Sequence, residues 1–195
     1  MQVKKEEVRQ AILKSAKKLY SKNGYANTNM NAVAKDANTS TSNLYVYFDS
    51  KLEILYEVYT PWLIEHMRNL EKEADNIIDS TERFEFILNY IWKVIPSSDK
   101  GFANNFIQAL STLRPNEQYN RELLFWFEEY ISRLIEPSIK EEYKKYIENN
   151  TLAHIISMTF DGYVLNYRLT KSKSNRYDAD RADEIIQILS KLLIR

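Results

Sequence analysis

Apolar residues in the first part of the chain recur three and four positions apart. Val8, Ile12, Leu13, Ala16, Leu19 and Tyr20 follow this spacing and predict a helix over roughly Lys4–Asn23 with a single apolar stripe. Asn23-Gly24 ends it, because glycine takes the left-handed position after a helix at little cost. A second predicted helix opens near Thr28-Asn29, two competent N-caps, and carries Met30, Val33, Ala34 and Ala37. After a break at Asn38-Thr39-Ser40, a short third helix is expected from about Thr41 to Tyr47. Ser50 with Glu53 three residues on reads as a capping box opening a long fourth helix. Pro61 lies inside that helix and predicts a kink, since it removes a backbone donor.

From about residue 76 the periodic segments lengthen. Helices are predicted over Thr81–Ile95 (stopped by Pro96), Phe102–Leu113 (stopped by Pro115) and Glu117–Ile135 (stopped by Pro137). Ser138–Glu148, Thr151–Leu169 and Asp180–Ile194 complete the series. No internal repeat or low-complexity linker interrupts it. The expected fold class is all-α, with a three-helix domain over residues 1–50 and a larger helical body over residues 51–195.

Composition supports this picture. The chain has 195 residues but 3 glycines and 4 prolines, too few turn formers for many strands and hairpins. With no cysteine, disulfides, thiolate metal sites and a cysteine nucleophile are excluded. No apolar run approaches the ~18–20 residues of a membrane span, and the N-terminus has no signal-peptide pattern. The expected compartment is the cytoplasm. The zero net charge hides a division: residues 1–51 hold nine Lys/Arg and four Asp/Glu, and the remainder 18 and 23. A basic head on an acidic body suits a head that meets a polyanion.

The third segment adds chemistry to that charge. On a helical wheel Leu44 and Phe48 point together and can pack on Ile12, Leu19, Val33 and Ala37. The opposite face then carries Ser42, Tyr45 and Val46, flanked by Thr41, Asn43 and Tyr47. Hydroxyls, an amide and phenols at a helix start can bond phosphates and base edges, and Val46 suits a thymine methyl. Lys51 opposes the helix dipole in the first turn of the fourth helix, a placement that makes sense with a phosphate clamped there. From pattern alone, a plain three-helix subdomain with a polar outer face fits equally well.

A longer run of residues bears on that choice. Arg9, Ile12-Leu13, Ala16, Leu19-Tyr20, Gly24-Tyr25, Thr28, Met30, Val33-Ala34, Ala37 and Ser40 lead into Leu44-Tyr45-Val46-Tyr47-Phe48, Ser50-Lys51 and Ile54-Leu55. In order and spacing these residues resemble the N-terminal domain of TetR-family transcriptional regulators, over the first 55 or so positions. The resemblance implies a dimeric helix-turn-helix repressor with its third helix in the major groove of an operator. It implies DNA contact by Met30, Thr39, Ser40, Thr41, Ser42, Asn43, Tyr45, Val46, Tyr47 and Lys51, with Tyr45, Tyr47 and Lys51 toward phosphates. Three positions depart from the family pattern: Asn38 and Ser42 stand where glycine is usual, and Ala32 where an acid is common.

The likeness fades after about Val58. The body has many aromatics, including Trp92, Phe102, Phe106, Phe125, Trp126, Phe127, Tyr130, Phe160, Tyr163 and Tyr167. Most such residues simply fill helical cores, but aromatic walls with a few polar groups are also the usual form of a small-molecule site. The candidates for an effector site are Trp62, Trp92, Phe106, Gln108, Trp126, Tyr130, His154, Asp161 and Tyr163, with Asn105 and Asn166 as further polar groups. They suit a small lipophilic or aromatic effector. The last two helices carry one apolar stripe each, Leu152, Ile155, Ile156, Thr159, Tyr163 and Tyr167 on the first and Ile185, Ile188, Leu189 and Leu192 on the second. Buried inside one subunit or paired across a twofold axis, both fit the stripes; the resemblance implies the homodimer. Tyr177-Asp178 between them should be surface.

No catalytic, metal or cofactor site is expected. His66 and His154 are too far apart for a helical ligand pair, and no glycine-rich phosphate loop or nucleophile elbow occurs. The expectation is a DNA-binding regulator, most simply a repressor released by an effector, and not an enzyme. A regulator without an effector and a helical protein-interaction module are the rival readings.

Overall fold

The computed structural model describes residues 2–98, 101–112, 122–169 and 180–194. Among them α-helices follow in the order α1 Gln2–Asn23, α2 Met30–Asp36, α3 Thr41–Leu44, α4 Lys51–Ala74, α5 Ser80–Asn89, α6 Ile95–Ser98, α7 Phe102–Thr112, α8 Glu122–Ile135, α9 Lys145–Glu148, α10 Thr151–Leu169 and α11 Asp180–Leu193. No helix among the described residues is long and apolar enough to cross a membrane. The expected Pro115 stop, the Tyr177-Asp178 link and the side chains of Phe102, Asn166 and Tyr167 lie outside the described residues.

The chain divides into two compact units. One comprises Met1–Ile64 with Lys100–Tyr119, the other Glu65–Asp99 with Asn120–Arg195. In the first, Ile12, Ala16 and Tyr20 of α1 meet Val33 and Ala34 of α2 and Leu44 and Phe48 around α3, none more than 1% exposed. Burying a side chain of this size contributes about 1.5–3 kcal/mol, so these few residues suffice to seat a short α3. The spacing expected from the sequence recurs here, with Leu44 and Phe48 both inward. The α-helical part of the third segment is shorter than expected; it ends at Leu44, and residues 45–47 form a turn.

In the second unit Met67, Leu70 and Ala74 of α4 are buried, as are Phe84, Ile87 and Leu88 of α5 and Ile131, Leu134 and Ile135 of α8. Pro96 does not stop the predicted 81–95 helix. A π-helical turn, Tyr90–Val94, follows α5, and the chain continues helically to Ser98. The Ile95 N–H bonds the carbonyl of Tyr90, five residues back. In an α-helix the Pro96 ring would strike the carbonyl four residues before it; one wider turn changes that register. Trp92, within this turn, donates its Nε1 proton to the Ile156 carbonyl of α10 at 3.0 Å.

The predicted 138–148 helix is also broken. Only Lys145–Glu148 is α-helical, with 3₁₀ turns at Glu136–Ser138 and Glu141–Tyr143. Ile139 and Lys140 are instead extended and held by the end of α11. The Lys140 N–H bonds the Leu193 carbonyl at 2.9 Å, its Nζ bonds the Leu192 carbonyl at 2.9 Å, and Ile139 pairs with Ile194. These bonds satisfy carbonyls that a helix end leaves open.

The α10 stripe divides between a buried Ile156 and an exposed Ile155, whereas no residue of the α11 stripe is buried and the inward residues of α11 lie beside it. Ile156 and Phe160 on α10 and Ala182 and Ile186 on α11 are buried. Ile155, Met158, Ile185, Ile188 and Leu192 are 39–57% exposed and form outward apolar faces.

Candidate nucleic-acid interface

The helix-turn-helix is assembled by short-range polar bonds. Gly24 closes α1 at φ +79°, and its N–H bonds the Tyr20 carbonyl at 3.0 Å. Asn29 caps α2 by accepting from the Ala32 N–H at 2.9 Å. Asn38 takes the left-handed conformation, φ +54°, at the position where the family pattern has glycine. Its short polar side chain makes asparagine one of the few residues that tolerate that region. The turn then delivers Ser40, whose Oγ caps α3 by accepting from the Asn43 N–H at 3.1 Å. Ser15 and Lys18 of α1 both bond Asp36 at the end of α2, at 2.9 and 2.6 Å, and hold its carboxyl below the usual carboxylate range.

The candidate DNA-contacting residues divide by what already occupies them. Ser40 is the α3 cap, Asn43 Nδ2 donates to Thr39 Oγ1 at 2.8 Å, and Thr41 Oγ1 donates to Asn31 Oδ1 at 2.8 Å. Met30 and Tyr47 are half-buried. Ser42 is exposed, as are Tyr45 at 51% and Val46 at 70%, and among the described residues the side chains of these three make no hydrogen bond. An exposed face of one hydroxyl, one phenol and one branched apolar group over a closed core is chemically able to meet phosphates and base edges.

Lys51 has a structural role that pattern did not suggest. Its Nζ donates to the carbonyls of Tyr25 and Thr28, both at 2.9 Å, and lies 3.8 Å from the centroid of the Tyr25 ring. Burial lowers its pKa. The start of α4 is capped by its own neighbours: the Glu53 N–H bonds Ser50 Oγ at 3.0 Å, and the Glu53 carboxylate accepts from the Asp49 N–H at 2.6 Å. The second bond lands one residue before the cap, a small departure from the expected box.

The nine effector-site candidates are distributed over both units. Trp62, Phe106 and Gln108 belong to the first, where Phe106 meets Tyr56 edge-on at 5.9 Å and Gln108 accepts from the Ala26 N–H at 2.9 Å. In the second unit Trp92 and Tyr163 pair at 5.6 Å, and Trp126 and Tyr130 at 5.3 Å. Tyr130 donates to Glu71, and Arg133 lies over its ring at 4.4 Å. His154 Nδ1 is 2.7 Å from the buried Glu128 carboxylate. Asp161 is half-buried, and burial pushes its carboxyl up to about 6.

Comparison with known proteins bears on the head first. Residues 12–58 match the family model described as bacterial regulatory proteins, tetR family. The HTH-type transcriptional regulator HbdR of Aromatoleum sp. (strain CIB) is 31% identical over 78 residues, which cover 40% of this chain and 34% of that protein. The chain thus matches about a third of the length of this curated relative. Whole-chain similarity is found among solved structures. A TetR-family transcriptional regulator from Pectobacterium atrosepticum superposes with a TM-score of 0.65 at 20% identity, covering 98% of this chain and 95% of that one. The fatty acid degradation regulator FadR from Bacillus halodurans gives 0.59 at 18%, covering 95% and 93%. FadR from Bacillus subtilis, solved in complex with stearoyl-CoA, gives 0.60 at 16%, covering 93% and 97%. At these identities the likeness is one of fold.

Proposed function

Because residues 12–58 match the tetR family model, we propose that this chain is a DNA-binding transcriptional regulator of that family, which reads its operator with the outer face of α3 and the turn after it. The observation that carries this reading is the free face of Ser42 on α3 and of Tyr45 and Val46 in the turn after it, over Leu44 and Phe48, which are wholly enclosed. Of the remaining contact residues, Tyr47 serves phosphates, while Thr39, Ser40, Thr41 and Asn43 shape the approach to the groove and offer further hydroxyl and amide contacts. Met30 supports this face from α2. Lys51 contributes through the turn it holds.

The acting unit in this reading is a homodimer, with the outward apolar residues of α10 and α11 as its contact. Five large apolar side chains exposed on consecutive helices are more than scattered surface residues require. Twofold symmetry would present two α3 helices to successive major grooves about 34 Å apart.

The body is read as the sensor for a small lipophilic or aromatic effector, drawing on the aromatic pairs Trp92–Tyr163 and Trp126–Tyr130 and on the carboxyl of Asp161. Binding would favour a state in which the two heads no longer fit their grooves, so that a repressor leaves its operator; α4, which contains Pro61, is the natural lever. The test is a gel shift with the DNA upstream of the chain's own reading frame across a salt series. Sequence-selective binding that weakens steeply with salt supports the regulator. Failure to bind any fragment selectively would leave a helical interaction module as the better reading.

A further inference from the structure

The turn between α1 and α2 is held from two sides, and one of them is supplied by α7, some eighty residues downstream. Because Gly24 is left-handed, the chain leaves α1 there, and the next two amides lie outside any helix. Asn105 Oδ1 accepts from the Tyr25 N–H at 2.8 Å, and Gln108 Oε1 accepts from the Ala26 N–H at 2.9 Å. Asn105 and Gln108 are three residues apart and share a face of α7. Asn105 is 1% exposed, and its Nδ2 donates to Tyr59 Oη of α4 at 3.0 Å and to the Tyr20 carbonyl of α1 at 3.4 Å. One buried amide therefore ties α1, the turn and α4 together. Gln108 approaches so closely that a Cβ on Gly24 would lie 2.9 Å from its Oε1. On the carbonyl side of the same turn Lys51 holds Tyr25 and Thr28. Met30, the first residue of α2, follows two residues later.

We propose that Asn105 and Gln108 are positioning residues for DNA recognition: by fixing the amides of Tyr25 and Ala26 they set the attitude of α2 and α3, and with it DNA affinity. Neither belongs to the exposed face of α3. The inference rests on the proposed DNA-reading function and adds to it that affinity is governed from α7. The bonding chemistry separates positioning from mere packing. Gln108 uses only its carbonyl oxygen on Ala26, so a carboxylate can replace it, whereas a thioether of similar length cannot.

The test compares the unaltered chain with Gln108→Glu, Gln108→Met and Asn105→Leu, using the DNA fragment that the unaltered chain selects. Gln108→Met should weaken binding about fivefold to tenfold, the worth of one amide hydrogen bond. The unfolding midpoint should fall by no more than about 2–4 °C, the worth of one such bond in a chain of this length, and amide exchange at Ala26 should quicken about fivefold to tenfold. Gln108→Glu should retain both affinity and protection. Asn105→Leu should show the larger loss, and if it does not fold the Gln108 pair decides. Unchanged DNA affinity in Gln108→Met, or unchanged exchange at Ala26, would overturn the positioning role while leaving the regulator reading intact. Absence of selective DNA binding by the unaltered chain would instead remove the reading on which the positioning role depends.

Discussion

Lys51→Met separates a cation that grips DNA from one that holds the protein together. The substitution keeps the length and much of the apolar stem but removes two hydrogen bonds to the Tyr25 and Thr28 carbonyls and the cation's approach to the Tyr25 ring. A hydrogen bond to a charged group contributes about 1.5–3 kcal/mol. The ammonium is only half-buried, so solvent screening and the cost of its partial desolvation offset part of this and leave about 2–3 kcal/mol for the pair. In a chain of 195 residues that corresponds to a fall of about 5–10 °C in the unfolding midpoint. Calorimetry supplies this value, and a salt titration of DNA binding supplies the second. A lysine that neutralises a phosphate adds about one ion to the salt slope, whereas one that holds a turn does not. Lys51→Met should therefore lower stability and affinity together at constant slope. An unchanged midpoint with a slope reduced by about one would refute the structural role.

Three further outcomes follow from the geometry. Asn38→Val, forced to φ +54°, should lose about 1–2 kcal/mol in urea unfolding, whereas Asn38→Gly should be tolerated. The Asp161 carboxyl, raised from 3.8 to about 6, binds its proton more tightly in the folded chain, so its contribution is full below pH 3.8 and is lost as pH rises through 6. Asp161→Asn should thus stabilise the protein at neutral pH by at most about 3 kcal/mol and flatten the pH dependence of unfolding in that window. In the proposed homodimer, Ile188→Glu on the outward face of α11 should shift sedimentation toward monomer without loss of helicity.

What could be read from the sequence was local. Gly24, Asn29, Asn38 and Ser40 announce turns and caps because their backbone preferences act within a few residues, and each has the conformation or bond its type favours. The inward pair Leu44 and Phe48 was legible from helical spacing. Where distant residues decide, the pattern misled. Pro96 reads as a stop, yet the chain passes it on a π turn anchored by Trp92 to Ile156. Residues 138–148 read as one helix, yet Ile139 and Lys140 are captured by the end of α11, some fifty positions on. The amide bonds of Asn105 and Gln108 to the α1–α2 turn have no periodic signature, so these residues stood out only as polar groups in an aromatic region.

The reading of α3 and the turn after it is tested most directly by DNA affinity once their free face is removed. Ser42, Tyr45 and Val46 are exposed, so Ser42→Ala, Tyr45→Phe and Val46→Ala combined should leave the unfolding midpoint unchanged. With the selected fragment, binding followed by fluorescence anisotropy should weaken by at least about a hundredfold, since deleting each group that meets a base or phosphate costs about 1–3 kcal/mol. Affinity and sequence preference equal to those of the unaltered chain would contradict a DNA-reading α3.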